Sequence, residues 1–329
     1  MGAAMFEAVD RVTPELQAGR ALIVHAGETW AASVQSGKFD FFTKIAARAA
    51  EAGLRSHLVA SARQASERLI AMGHHLNIVI GPRLPVGPRV WHAHPGYVFG
   101  FWYLDALGVN SHSSLGGRRF DPQSVDGPTA RWFFNGVSGF NLRKNKSKFP
   151  QAERVEAPLP PARAVVYLQE IEHYQQPVHW IDTLTMLQVT AMAAGGGRVY
   201  VKLHPAQSPE MRAAVLALCA EVPNLCLSAA SLHDLNAASE VVVTQNSAAG
   251  FEALLQKKPV ISCAQCDYHH ATLQAHTPDA LAQAVAEAPA RMAGFAYDRY
   301  LQWFLGQGLL EPGKPEFAER AWQILLSQG

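Results

Sequence analysis

Twice along the chain, short runs of β-branched and aliphatic residues alternate with segments of helical periodicity. That repetition restricts the fold to parallel sheets with helices on both faces. In the first series Ala21 to Val24, His57 to Ala60, Asn77 to Ile80 and Arg89 to His92 read as strands. Between them Phe39, Phe42, Ile45, Ala46 and Ala49 recur at helical spacing up to Gly53, and Ala62 to Met72 reads as a helix stopped by Gly73. The second series has strands at Ala164 to Leu168, Val199 to Leu203, Leu225 to Leu227, Val241 to Thr244 and Val260 to Ser262. Helices are expected at Ile181 to Ala194 and along the stripe Met211, Val215, Leu218, Cys219 and Val222, and the chain after Pro278 reads as helical.

The stretch between the two series is less regular. Aromatic residues crowd Tyr97 to Tyr103, and Arg143, Lys144, Lys146 and Lys148 form a basic run. Pro158, Pro160 and Pro161 then read as a stiff connector. At about 100–200 residues per domain, the chain's 329 residues accommodate two. The expected class is α/β: two Rossmann-like, doubly wound domains facing a cleft, with boundaries at residues 1–160 and 161–290 and C-terminal helices over 291–329 bracing them.

Composition excludes several functions. A net charge of +1 gives no global attraction to nucleic acid, so any anion site must be local. Hydrophobic residues at 49% and charged residues at 17% mark a core-forming protein. Four cysteines are too few for a disulfide scaffold, and neither a membrane span nor a secretory leader is evident, so a cytoplasmic setting is expected. The Met-Gly start lacks the Ser or Thr that myristoylation needs, because Phe6 stands there. Neither a Walker loop nor a G-x-G-x-x-G fingerprint is present. Cys263 and Cys266 have C-x-x-C spacing without a second pair, and His92 with His94 makes half a metal site without a third ligand, so no metal site is expected.

In open parallel sheets, ligands bind outside the carboxyl ends of strands. Lys202 and His204 lie on one side of such an end, and Pro205 turns the chain away, a cation and an imidazole suited to a phosphate or carboxylate. After the strand ending near Thr244, Asn246 or Ser247 can cap a helix whose first-turn Gly250 lets a ligand approach backbone N–H groups. An ordinary capped helix would look the same. Glu252 follows in the first turns, placed to complement the helix dipole or to accept from ribose hydroxyls. Gln169 and Glu170 end the second domain's first strand. In the first domain His25 and Glu28 follow a strand, and His94 and Asp105 flank the aromatic stretch. These four are candidate acid–base groups.

Taken together, Lys202-Leu-His204-Pro205, Asn246-Ser247-Ala-Ala-Gly250-Phe-Glu252-Ala-Leu and Lys258-Pro259-Val260 resemble the bacterial capsule polysaccharide biosynthesis family, which includes Kdo transferases. Leu168-Gln169-Glu170 and the Gly37-Lys-Phe-Asp-Phe-Phe start are similar to it as well. The resemblance is fair over residues 164–275 and faint before them. This chain departs from the family at Tyr268-His269-His270, where a Gly-Leu-Thr turn is common.

The resemblance implies a cytoplasmic glycosyltransferase of the GT-B arrangement. Such an enzyme uses a nucleotide sugar (CMP-Kdo in the Kdo enzymes) and a glycan or glycolipid acceptor, with no obligatory metal and no other cofactor. On it, His204 and Lys202 bind the donor phosphate or carboxylate. Asn246, Ser247 and the Gly250 backbone hold the phosphate, with Glu252 on the nucleotide. The acceptor-side base comes from Glu28, Asp105, His25 or His94. The basic run Arg143 to Lys148 offers peripheral contact with anionic lipid of the inner membrane. Two other readings stay open: a sugar-nucleotide epimerase or hydrolase on the same fold, and a non-catalytic accessory of polysaccharide synthesis or export.

Overall fold

The computed structural model describes residues 5–60, 62–80 and 86–327; the Met-Gly start lies outside them. Two compact units result. One comprises residues 1–96, 100–114 and 305–329, the other residues 97–99 and 115–304. The chain therefore changes unit near Ser114 and Phe304, not at the proline cluster near residue 160.

The first unit's sheet contains β1 (Glu7–Ala8), β2 (Leu22–Ala26), β3 (Ser56–Ala60), β4 (Leu76–Ile80), β5 (Val90–Pro95) and β6 (Trp102–Asp105), in the order β1-β3-β2-β4-β5-β6. All pairs are parallel except β5 with β6, where His94 faces Tyr103. Leaving β1 aside, this is the flavodoxin-like 2-1-3-4-5 order. Every residue of β2 is buried because both faces are covered. Leu22, Val24 and Ala26 join Phe41, Phe42 and Ile45 on one side, and Ile23 joins Leu16, Ala65 and Leu69 on the other. The C-terminal helix Phe317–Leu326 returns to this core through Phe317, Ala321, Trp322 and Leu325.

The second unit's sheet contains β7 (Ala162–Tyr167), β8 (Val199–Lys202), β9 (Leu225–Leu227), β10 (Ser239–Thr244), β11 (Val260–Ser262) and β12 (Leu273–Gln274). All pairs are parallel, in the order β12-β11-β10-β7-β8-β9. Renumbered from β7, this is the Rossmann order 3-2-1-4-5-6, in which the winding reverses between β7 and β10. The α/β class expected from the sequence is therefore present in both units.

The middle of the chain, irregular by sequence, holds the 17-residue helix Gly127–Arg143. Asp126 caps it by accepting from Thr129 N at 2.9 Å, and Pro128 occupies its first turn. Gly136 and Gly139 interrupt any apolar stripe, and Trp132 is 71% exposed. Among the described residues no helix is long and apolar enough to cross a membrane.

Candidate functional site

The winding reversal of the second unit places the ends of β7 and β10 side by side, and polar side chains meet there. Gln169 Nε2 donates to Asn246 Oδ1 at 3.4 Å. Asn246 in turn donates through Nδ2 to the Gln265 carbonyl at 3.0 Å, which fixes which way its amide faces. Glu170, the next residue, accepts from Gln207 Nε2 at 2.6 Å and from Ser208 N at 3.3 Å. It thereby ties the loop after β8 to the end of β7.

That loop carries His204. Its Nδ1 accepts from Ala206 N at 3.2 Å, so the neutral ring holds its proton on Nε2, a donor aimed away from the turn. Burial lowers the ring's proton affinity, Glu170 opposes that, and the Lys148 charge lowers it further. The outcome is a neutral N–H donor at a strand end. Phe149 stands edge-on to the imidazole with ring centroids 5.8 Å apart. Pro205 is exposed just beyond, where the turn closes through Gln207 N to the His204 carbonyl.

Four other candidates are engaged within the unit itself, Ser247 in the capping role expected of it. Lys202 donates through Nζ to the carbonyls of Ala230 (2.6 Å) and Ala229 (3.3 Å), so it braces the loop after β9. Ser247 does cap the helix Ala248–Ala253, but it takes the Ala249 N–H on its hydroxyl and the Gly250 N–H on its carbonyl. Those two N–H groups are therefore spent within the turn. A Cβ at Gly250 would lie 2.7 Å from Thr244 Cγ2 and 3.0 Å from the Tyr268 hydroxyl, so this glycine serves the close approach of helix to sheet rather than of a ligand. Glu252 is buried, 1% exposed. Its Oε1 accepts from the Ser147 hydroxyl at 2.8 Å, and burial pushes its pKa up to about 8 against the opposing pull of Ser147 and Lys148. It is a buried anchor, not a group facing a ribose.

In the first unit the four acid–base candidates separate into two pairs. His25 lies inside β2, where Nε2–H donates to Asn77 Oδ1 at 3.0 Å and Nδ1 accepts from the Ser66 hydroxyl at 2.9 Å. Asn77's amide nitrogen is committed to the His75 and Arg89 carbonyls, which fixes this assignment. Burial pushes the His25 pKa down to about 4. Asp105 accepts from Leu107 N (2.8 Å), Gly108 N (3.2 Å), Ser114 N (2.9 Å) and the Ser114 hydroxyl (2.6 Å), which fixes the loop after β6. Both are structural.

Glu28 and His94 stay at the carboxyl edge of the sheet. Glu28 is exposed at the first position of the helix Glu28–Gln35. His94 Nδ1 donates to the Pro95 carbonyl at 2.8 Å, and Trp30 of the Glu28 helix packs edge-on to the imidazole with ring centroids 5.8 Å apart.

Sequence reasoning missed Lys148 as part of this site. The basic run is not one solvated stripe: Arg143, Lys144 and Lys146 are exposed, whereas Lys148 is half-buried and interacts with Glu252 and Asp267. The partners that hold it lie about a hundred residues away in sequence, so no local pattern announces them. Cys263 and Cys266 are buried, and burial raises both thiols, Cys263 to about 12. Among the described residues no group of three or more His, Cys, Asp or Glu is placed to hold a metal ion.

The segment that carries this strand edge matches a family model described as capsule polysaccharide biosynthesis protein, over residues 152–302. That match takes in just under half of the chain. Among solved structures, the chain is similar to Thermosulfurimonas dismutans KpsC, beta Kdo 2,7 transferase, at 18% identity and a TM-score of 0.51, covering 82% of this chain and 90% of that one. The KpsC beta Kdo 2,4 transferase of the same organism matches at 13% and 0.49, covering 82% and 91%. The UDP-GlcNAc 2-epimerase of Methanocaldococcus jannaschii matches at 11% and 0.38, covering 94% and 100%. The first likeness establishes a shared fold. No curated protein matches the chain. Within the matched segment lie Gln169, Glu170, His204 and Asn246, while Lys148 and Phe149 fall just before it.

Proposed function

We propose that the chain is a glycosyltransferase of capsule or surface-glycan synthesis, moving a sugar from a nucleotide sugar to a glycan or glycolipid acceptor. The observation that carries this reading is the neutral His204 N–H donor beside a β7/β10 winding reversal lined by Gln169 and Asn246, within a capsule-family segment. Kdo from CMP-Kdo is the donor we favour, supported by the Kdo transferase named among the similarly folded proteins.

In the reaction, the bond from the anomeric carbon to the donor phosphate breaks and the phosphate leaves with the electron pair. A bond to the acceptor hydroxyl oxygen forms, and that hydroxyl's proton passes to a base. Fixed N–H donors aimed at the departing phosphate stabilise charge that develops only in the transition state. Glu28 and His94 are the acceptor-side groups left once His25 and Asp105 are assigned to the core. We place the reaction in the cytoplasm, with Arg143, Lys144 and Lys146 as the contact to an anionic membrane surface and Lys148 withdrawn from it.

A thermal-shift series with CMP, UDP and GDP tests the donor site. A nucleotide at about 100 times its Kd stabilises the protein by about 2.7 kcal/mol, and the favoured reading expects CMP to do so. His204→Ala should weaken that binding about tenfold with the unliganded Tm unchanged. A wild-type Tm indifferent to every nucleotide would overturn the reading.

A further inference from the structure

The segment 145–154, which runs into the start of the family match, is fastened to the rest of the second unit by a series of hydrogen bonds. Asn145 Oδ1 accepts from the Ser231 hydroxyl at 2.6 Å, and His233 Nε2 donates to the Lys146 carbonyl at 2.9 Å. Ser147 Oγ donates to Glu252 Oε1 at 2.8 Å, with Lys148 N at 3.5 Å from the same oxygen. Gln151 Oε1 accepts from Leu232 N at 3.1 Å, and Arg154 pairs with Asp234 at 2.5 Å. Six of its ten residues are attached in this way, which holds the strap in its course over the unit.

Its middle reaches the His204 strand end. Phe149 stands edge-on to the imidazole, and the charge of the adjacent Lys148, whose own proton affinity burial lowers against the pull of Glu252 and Asp267, lowers that of His204. The Lys148 charge interacts with the Glu252 and Asp267 carboxyl groups. Lys202, the cation expected for this place, is committed to two carbonyls. Among the described residues, the cation that acts on the His204 imidazole is the strap's Lys148.

We propose that Lys148 binds the donor's phosphate or carboxylate together with His204, and that Ser147 and Glu252 are positioning residues that hold the strap in place. This assignment rests on the nucleotide-sugar reading above and names the charge that reading requires. Lysine suits the task as a mobile point charge, whereas the imidazole supplies a directional donor.

The test is calorimetric titration of CMP, UDP and the phosphate-free nucleoside cytidine into the full chain. Lys148→Met, which keeps the stem and removes the charge, should weaken the better-bound nucleotide 10- to 100-fold and leave cytidine within twofold. Lys148→Arg should recover most of the loss. Ser147→Ala, with the charge intact but its anchor cut, should weaken the nucleotide 3- to 10-fold, and Arg212→Gln, on the exposed face of the helix Pro209–Glu221, should change nothing. Wild type that binds the nucleotide while Lys148→Met binds it within twofold overturns the Lys148 assignment alone. A wild type that binds no nucleotide overturns the donor reading and this assignment with it. Circular dichroism of each variant separates lost charge from lost fold.

Discussion

The two units solve the same layering problem with different sheets, and they differ in what they do with polar residues near strand ends. In the flavodoxin-like unit, His25 and Asp105 turn inward and are fully engaged, His25 by Ser66 and Asn77, Asp105 by four donors. In the Rossmann-ordered unit, Glu170 ties down the loop after β8 and Lys202 the loop after β9, and the Nε2–H of His204 is not taken up by that turn. The same residue types are thus saturated in one unit and, at His204, only half engaged in the other. What decides between them is whether neighbouring groups saturate the side chain.

The largest expected effect breaks the first half of that comparison. Asp105→Ala removes an acceptor from three backbone N–H groups and one hydroxyl around a nearly buried carboxylate. Leaving such donors unmet costs about 3–5 kcal/mol in total. Chemical denaturation should show that loss, while nucleotide affinity, measured well below the melting temperature, should stay as in wild type. Affinity that fell in step with stability would return Asp105 to the list of functional groups.

A second effect is set by pH. His25 is buried neutral, with its pKa moved from 6.5 to about 4 by loss of hydration. A base depressed in the fold takes up protons more readily once unfolded, so stability is full above pH 6.5. It declines as pH falls toward 4, by about 3 kcal/mol for this one group. His75, buried beside His74 at 4.0 Å between ring centroids, shifts the same way through burial and its histidine neighbours. Acid titration of the unfolding free energy should therefore slope in this window. His25→Gln should flatten the slope; an unchanged slope would mean the histidine is not held neutral.

How far the sequence announced all this depends on the element. Strands buried on both faces, such as β2 and β7, write themselves as continuous aliphatic runs and are legible. The helix Gly127–Arg143 is not, because its glycines and exposed Trp132 erase the stripe that betrays a helix. His25 was misplaced by a boundary: reading the strand as ending at Val24 puts His25 in a loop, whereas β2 runs to Ala26 and alternation turns the ring into the core with Ile23. Asp105 ends β6, an antiparallel strand hidden in an aromatic cluster. Polar residues at the β7, β8 and β10 ends were legible as a group. Which of them were already engaged was not, since the partners of Lys202, Glu252 and Lys148 are set by tertiary packing.

The smallest effect sharpens the comparison within one residue type. Gly250 and Gly136 both lie in helices of the second unit, yet a methyl group at Gly250 meets Thr244 and Tyr268 inside 3.1 Å of its position, as the 2.7 and 3.0 Å approaches show, whereas one at Gly136 meets nothing within 4 Å. Gly250→Ala must push the helix off β10 and should destabilise by about 1–3 kcal/mol. Gly136→Ala only narrows the unfolded chain's freedom and should stabilise by about 0.5–1 kcal/mol. Thermal melts of the two single variants give opposite signs if Gly250 serves packing. If Gly250 instead served ligand approach, its alanine variant would melt like wild type and fail only in nucleotide titration, and the phosphate would have to be placed back at that helix start rather than between His204 and the strap.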